Sequence, residues 1–214
     1  MAKLYFKYGA MGSSKSANAL MAEYNYAEVG KKVILAKPCI DTRDGERIIK
    51  SRIGLEKECI FLEELLSKEV LAGLEVIQKN PNGHEAIQIR KELLGTYLMC
   101  DAIIVDEAQF ATREQIDYLS DIVDYLNIPV LCYGLRADFQ NKAFPGSLRL
   151  LEIADILEEV KTVCWCGKKA TCNARYNENG IVRHGEQIEL GANDKYVALC
   201  RKHWKEGKLS GEAD

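Results

Sequence analysis

The sequence of 214 residues predicts an α/β protein, a mostly parallel sheet flanked by helices, with a small metal-binding unit at its C-terminal end. Three observations predict it. Short apolar runs alternate with helix-forming segments as far as Val160, the pattern of a parallel sheet covered on both faces. The stretch GAMGSSKS, 9–16, follows the first apolar run and nearly spells the phosphate loop G-x-x-x-x-G-K-[ST]. Gly9, Lys15 and Ser16 fit it, and Ser14 stands where the second glycine falls. Four of the eight cysteines, Cys164, Cys166, Cys172 and Cys200, gather in the last quarter, which in a reducing compartment favours metal over disulfides.

The elements follow in order. Leu4 to Tyr8 is an apolar-aromatic strand ending at Gly9, and helix formers fill Ser16 to Glu28. Lys32 to Ala36 is a second buried strand. Cys59 to Lys79 and Glu85 to Met99 carry helical spacing, split by the turn Asn80-Pro81-Asn82-Gly83. Ala102 to Val105 is a third strand closing on Asp106-Glu107. Thr112 to Asn127 is amphipathic, with Ile116, Leu119, Val123 and Leu126 on one face and Thr112 as cap. Ile128 to Tyr133 is a fourth strand, Arg136 to Ser147 a polar loop, and Leu148 to Glu159 a helix. From Lys161 the chain changes to cysteines, short alternating strands and the turn Glu178-Asn179-Gly180. A boundary near Val160 therefore divides a nucleotide-binding domain, 1–160, from a metal-binding domain, 161–214.

Composition excludes several classes. A net charge of −3 argues for no nucleic-acid surface. No apolar run approaches the roughly 20 residues of a membrane span. The start, MAKLYFKYGAMG, lacks the apolar segment and cleavage site of a signal peptide, which points to a cytoplasmic protein. Cys39, Cys59, Cys100 and Cys132 are scattered, three of them in apolar surroundings, and buried free thiols account for those three.

A strand, loop and helix carrying Gly9, Lys15 and Ser16 suit phosphate binding, because backbone N–H groups and the helix N-terminus converge on the anion. Lys15 would reach the β and γ phosphates of ATP, and the Ser16 hydroxyl would ligate Mg²⁺. Asp106, ending an apolar strand, is the type of residue that positions magnesium, and Glu107 beside it suits a general base on a hydroxyl nucleophile. Arg43 of Asp41-Thr42-Arg43 could lean onto a transferred phosphoryl group, although DTRDGER alone reads rather as a solvated charged turn. Cys164 and Cys166 form one thiolate knuckle, and Cys200 with His203 another. Two close pairs of soft ligands make a closed structural Zn²⁺ site. Cys172 and His184 compete as ligands, but each sits singly in an expected strand and reads as a core and a surface residue respectively.

Together the phosphate loop, DTR, DEAQF, the polar loop 134–140, the segment GANDKYVALCRKH and the C-terminal cysteines resemble the type II thymidine kinases over nearly the whole chain. The resemblance implies a P-loop NTPase-type sheet and a C-terminal zinc-binding domain carrying a lasso loop. It implies transfer of the γ-phosphoryl of ATP to the 5′-hydroxyl of thymidine or deoxyuridine, feedback by thymidine triphosphate, and a cytoplasmic homotetramer. It assigns Glu107 as catalytic base. ATP and magnesium fall to Gly9, Ala10, Met11, Gly12, Ser13, Ser14, Lys15, Ser16, Asp41, Arg43, Asp106 and Gln109. The nucleoside falls to Phe139 as stacking aromatic, to Phe110 and Leu135 as an apolar wall, and to a lasso of Gln187, Ile188, Glu189, Leu190 and Gly191, with Asn173 and Tyr196 nearby.

Three departures stand against the family pattern: Ser14 replaces a glycine, Gly12 replaces a larger residue, and 55–98 is longer, with an extra helical hairpin around Asn80 to Gly83. The first two bear on ATP affinity and the third on subunit contacts. A catalytically silent relative that binds nucleoside or nucleotide is the alternative, supported by Ser14 alone. A DNA-dependent ATPase on the same sheet is disfavoured by the acidic charge.

Overall fold

The apolar runs form strands where both faces can be covered. A computed structural model of the chain describes residues 1–42, 45–187 and 195–211. Its first part comprises β1 (Leu4–Gly9), α1 (Lys15–Glu28), β2 (Val33–Lys37), β3 (Ile48–Lys50), β4 (Glu56–Glu58), β5 (Ile60–Phe61), α2 (Leu62–Leu65), α3 (Lys68–Lys79) and α4 (His84–Glu92). After a π-helical turn, Leu93–Tyr97, come β6 (Ala102–Val105), a 3₁₀ turn (Ala108–Phe110), α5 (Arg113–Leu126), β7 (Val130–Leu135), α6 (Pro145–Ile153) and β8 (Ile156–Glu159). The last part holds β9 (Thr162–Val163), β10 (Lys169–Ala170), β11 (Cys172–Asn177), β12 (Gly180–Ile181), β13 (Lys195–Leu199) and α7 (Arg201–Glu206).

The central sheet has six strands in the order β5-β2-β6-β7-β1-β8, and every neighbouring pair is parallel. Its two central strands, β6 and β7, are buried end to end, which explains their largely apolar character. Successive side chains point to opposite faces. Ile103 and Val105 accordingly join Val70, Leu74, Ile116 and Leu119 of α3 and α5, whereas Ile104 meets Ala19 and Leu20 of α1. Along α5 the apolar face predicted from spacing is buried at Ile116, Leu119, Val123 and Leu126. Burial of each such side chain stabilises by about 1.5–3 kcal/mol. Thr112 caps this helix by accepting from the Gln115 N–H, and Gln115 returns a bond to the Thr112 N–H, as its sequence suggested.

Four expectations need correction. Leu148 to Glu159 is not one helix. Pro145 starts α6 at its first turn, where the missing N–H costs nothing, and the chain then becomes β8. The Asp155 carboxylate accepts from the Leu4 N–H at 2.7 Å and lays β8 against β1. The fourth strand runs over Val130–Leu135, not Ile128–Tyr133: Pro129 has no N–H for the ladder, and Gly134 and Leu135 continue pairing with Tyr8 and Gly9. Cys59 to Lys79 divides into an edge strand, a single helical turn and α3, which Ser67 caps. The antiparallel hairpin of β3 and β4 has no counterpart in the predicted elements. The extra helical hairpin is present: α3 and α4 turn at Asn80–Gly83 and bury Val70, Leu74, Ile77, Ala86 and Leu93 in the main core.

Beyond β8, β12-β11-β13 form an antiparallel sheet and β9-β10 a short hairpin. They enclose a small core of Cys164, Ala170, Ala174, Leu199 and Cys200. No helix among the described residues is long and apolar enough to cross a membrane.

Candidate active site

β1 ends at Gly9 and α1 begins at Lys15, so the intervening loop sits at the carboxyl edge of the sheet. Gly9 is a packing requirement: a Cβ there would lie 2.4 Å from the Val160 carbonyl oxygen and 2.5 Å from Ser13 Oγ. Gly12 and Ser14 both adopt left-handed backbone conformations, φ 72° and 59°. Ser14 is therefore a β-carbon-bearing residue in the conformation that suits glycine. Its carbonyl starts the helix, accepting from the Asn18 N–H at 2.9 Å. Lys15 is buried, and its ammonium donates to the Ala10 carbonyl at 3.0 Å across the loop.

β6 places Asp106 and Glu107 at the same edge. The Ser16 hydroxyl faces the Asp106 carboxylate and favours its charged form. Burial, then the charge of Glu107, pushes the Asp106 carboxyl up to about 7, against the opposing pull of Ser16, the Glu107 N–H and Lys15. A paired hydroxyl and carboxylate fit the oxygen ligation that Mg²⁺ demands. Glu107 is itself left-handed, φ 51°, and Gln109 Nε2 donates to its carboxylate. Asp41 is buried 3.6 Å from the ammonium of Lys37. Lys37, missed from sequence, is almost wholly buried and donates to the carbonyls of Gly45 (2.7 Å) and Ile48 (3.0 Å). A lysine closing a buried strand was the available signal. Arg43 lies outside the described residues.

The residues assigned to the nucleoside gather at the next strand ends. Phe110 packs edge-on against Phe144 at 5.7 Å, and Leu135 is buried at the end of β7. Phe139 is buried with the Arg175 guanidinium over its ring at 5.1 Å, and its carbonyl accepts from Trp204 Nε1 at 3.1 Å. Arg175, buried on β11 opposite Tyr196, was also missed. Asn173 bridges two segments: Oδ1 accepts from the Met11 N–H at 2.8 Å and Nδ2 donates to the Ala137 carbonyl at 2.7 Å. Gln187 Nε2 donates to Asp138 at 2.9 Å. Ile188, Glu189, Leu190 and Gly191 lie outside the described residues.

Ligand atoms of Cys164, Cys166, Cys200 and His203 lie within 4.8 Å of one another. His203 presents Nδ1, 3.4 Å from Cys164 Sγ. Burial opposes ionisation of Cys164, yet the N–H groups of Cys166 and Cys200, with His203, draw its pKa down to about 6. Three thiols and an imidazole, one already thiolate-prone, fit a closed tetrahedral zinc site. Trp165 stacks on the His203 ring at 4.1 Å and 5°, fixing its orientation. Cys172 is buried and His184 exposed, both outside this cluster.

A family model described as thymidine kinase matches residues 2–204. The chain belongs to the thymidine kinase family. Among curated thymidine kinases it is 48% identical to that of Zymomonas mobilis, over 96% of this chain and 97% of that one. It is 46% identical to that of Novosphingobium aromaticivorans (96% and 98%) and 43% identical to that of Coxiella burnetii (97% and 97%). Thymidine kinases thus match it across both the sheet and the cysteine-bearing segment.

Proposed function

We propose that this chain is an active thymidine kinase, transferring the γ-phosphoryl of ATP to the 5′-hydroxyl of thymidine or deoxyuridine. The observation that carries this reading is the convergence of Lys15 and Ser16, at the start of α1, on Asp106 and Glu107, which follow β6. Loop amides and Lys15 hold the phosphates. Ser16 and Asp106 would hold Mg²⁺, which neutralises charge on the phosphoryl oxygens. Glu107 accepts the 5′-hydroxyl proton as that oxygen bonds to the γ-phosphorus and ADP leaves with the electrons of the broken P–O bond. Phe139 is the stacking aromatic for the base, Phe110 and Leu135 its neighbouring apolar wall, and the lasso reads its edge with backbone groups. Cytoplasmic location, a homotetramer, feedback by thymidine triphosphate and a domain boundary near Val160 belong to the same reading.

Coupled assays of ADP release with and without thymidine test it. Thymidine-dependent release supports the kinase, and binding without release would favour the silent relative. Glu107→Gln is expected to leave ATP binding nearly intact and to lower kcat by roughly 10²- to 10⁴-fold. Near-normal turnover in that variant would remove Glu107 from the mechanism.

A further inference from the structure

We propose that Gln109 is the positioning residue that aims the Glu107 carboxylate, and that Gly134 is glycine because it forms the seat for the Gln109 amide. This goes beyond an ATP or magnesium role for Gln109 and rests on Glu107 being the base.

Gln109 has no exposed surface. A buried primary amide is costly unless its atoms find partners. Here Oε1 accepts from the Leu135 N–H at 2.9 Å, and Nε2 donates to Glu107. The two bonds settle the amide's orientation, since turning it over would set NH₂ against an N–H and oxygen against a carboxylate. The anchor is firm. Leu135 ends a fully buried strand, and its carbonyl accepts from Ser147 Oγ at 2.5 Å. A Cβ on Gly134 would stand 2.7 Å from Gln109 Oε1 and 3.1 Å from the Gln109 nitrogen. No other residue leaves that space. The 3₁₀ turn that follows Glu107 folds Gln109 back beside it. Glu107 holds a left-handed φ of 51°, a strained conformation kept only where the surroundings enforce it. The amide, braced by β7, supplies part of that enforcement. Both of these bonds direct the amide to protein groups rather than outward to nucleotide.

The test compares Gln109→Met, which keeps length and loses both bonds, with Gly134→Ala, which keeps the amide and fills its seat. In Gln109→Met, kcat is expected to fall about 10- to 100-fold, the scale of an ångström misplacement, while KM for ATP and thymidine stays within about threefold. Gly134→Ala gives a smaller fall in kcat by displacing the same amide, and it carries the test if the methionine variant does not fold. Unchanged kcat would overturn the proposal. So would a raised ATP KM with kcat kept, or a fall in kcat matched by an equal loss of affinity for ATP and thymidine, which is what damaged packing alone gives. Full activity of Glu107→Gln would instead refute the base assignment and not the bridge.

Discussion

Ser14 shows how one side chain can be legible in sequence while its cost is not. The pattern flagged a missing glycine; only the fold gives φ 59° at that position. A left-handed serine costs on the order of 1 kcal/mol, a few-fold in affinity if the loop pays it on closing around phosphate. Lys15, Ser16 and the remaining amides are untouched, so binding is weakened and not abolished. Ser14→Gly is expected to tighten ATP binding a few-fold and to leave the thymidine KM almost unchanged, as calorimetry and steady-state kinetics can check. Lys15, Ser16, Asp106 and Glu107 were readable because they form short motifs at the ends of apolar runs. Lys37 and Arg175 were not, since a buried cation is recognised by its carbonyl or ring partners, and these are distant in sequence.

At the scale of elements, periodicity found what it can find. α5 carried its cap and its apolar face in plain order, and the two central strands their largely apolar character. β8 was hidden because half of an edge strand is exposed, so its alternation resembles a helix end. The hairpin of β3 and β4 was hidden because its second strand, Glu56–Glu58, is wholly exposed and charged. β11 contributes more than a strand, since Asn173 fastens the phosphate loop to the segment at Ala137. Asn173→Ala removes both bonds and leaves the part-buried Met11 N–H and Ala137 carbonyl without that partner. It is expected to raise the ATP KM several-fold with the metal retained. An unchanged ATP KM would mean that the loop holds its shape without the strand.

At the scale of the molecule, the cysteine cluster joins segments up to 39 residues apart, with ligands from β9's end and α7's start. The core it supports has few apolar side chains, so metal ligation substitutes for burial. Protein purified without added metal is expected to carry about one zinc per chain. Cys200→Ala should lose it and weaken thymidine binding; retention of both would misplace the site. The ligands were legible from paired spacing, whereas the ring stacked on His203 was not, because Trp165 reads as filler within C-x-C.

That stacking has an optical consequence. The chain has two tryptophans, Trp165 and Trp204. One lies flat on the imidazole of His203, and the other sits beneath the Arg183 guanidinium, tethered to Phe139. Neither belongs to the central sheet. Indole emission therefore reports on the cysteine-bearing segment and its junction with Phe139, while circular dichroism is dominated by the sheet and its helices. The molecule comes with a built-in label on its cysteine-bearing segment.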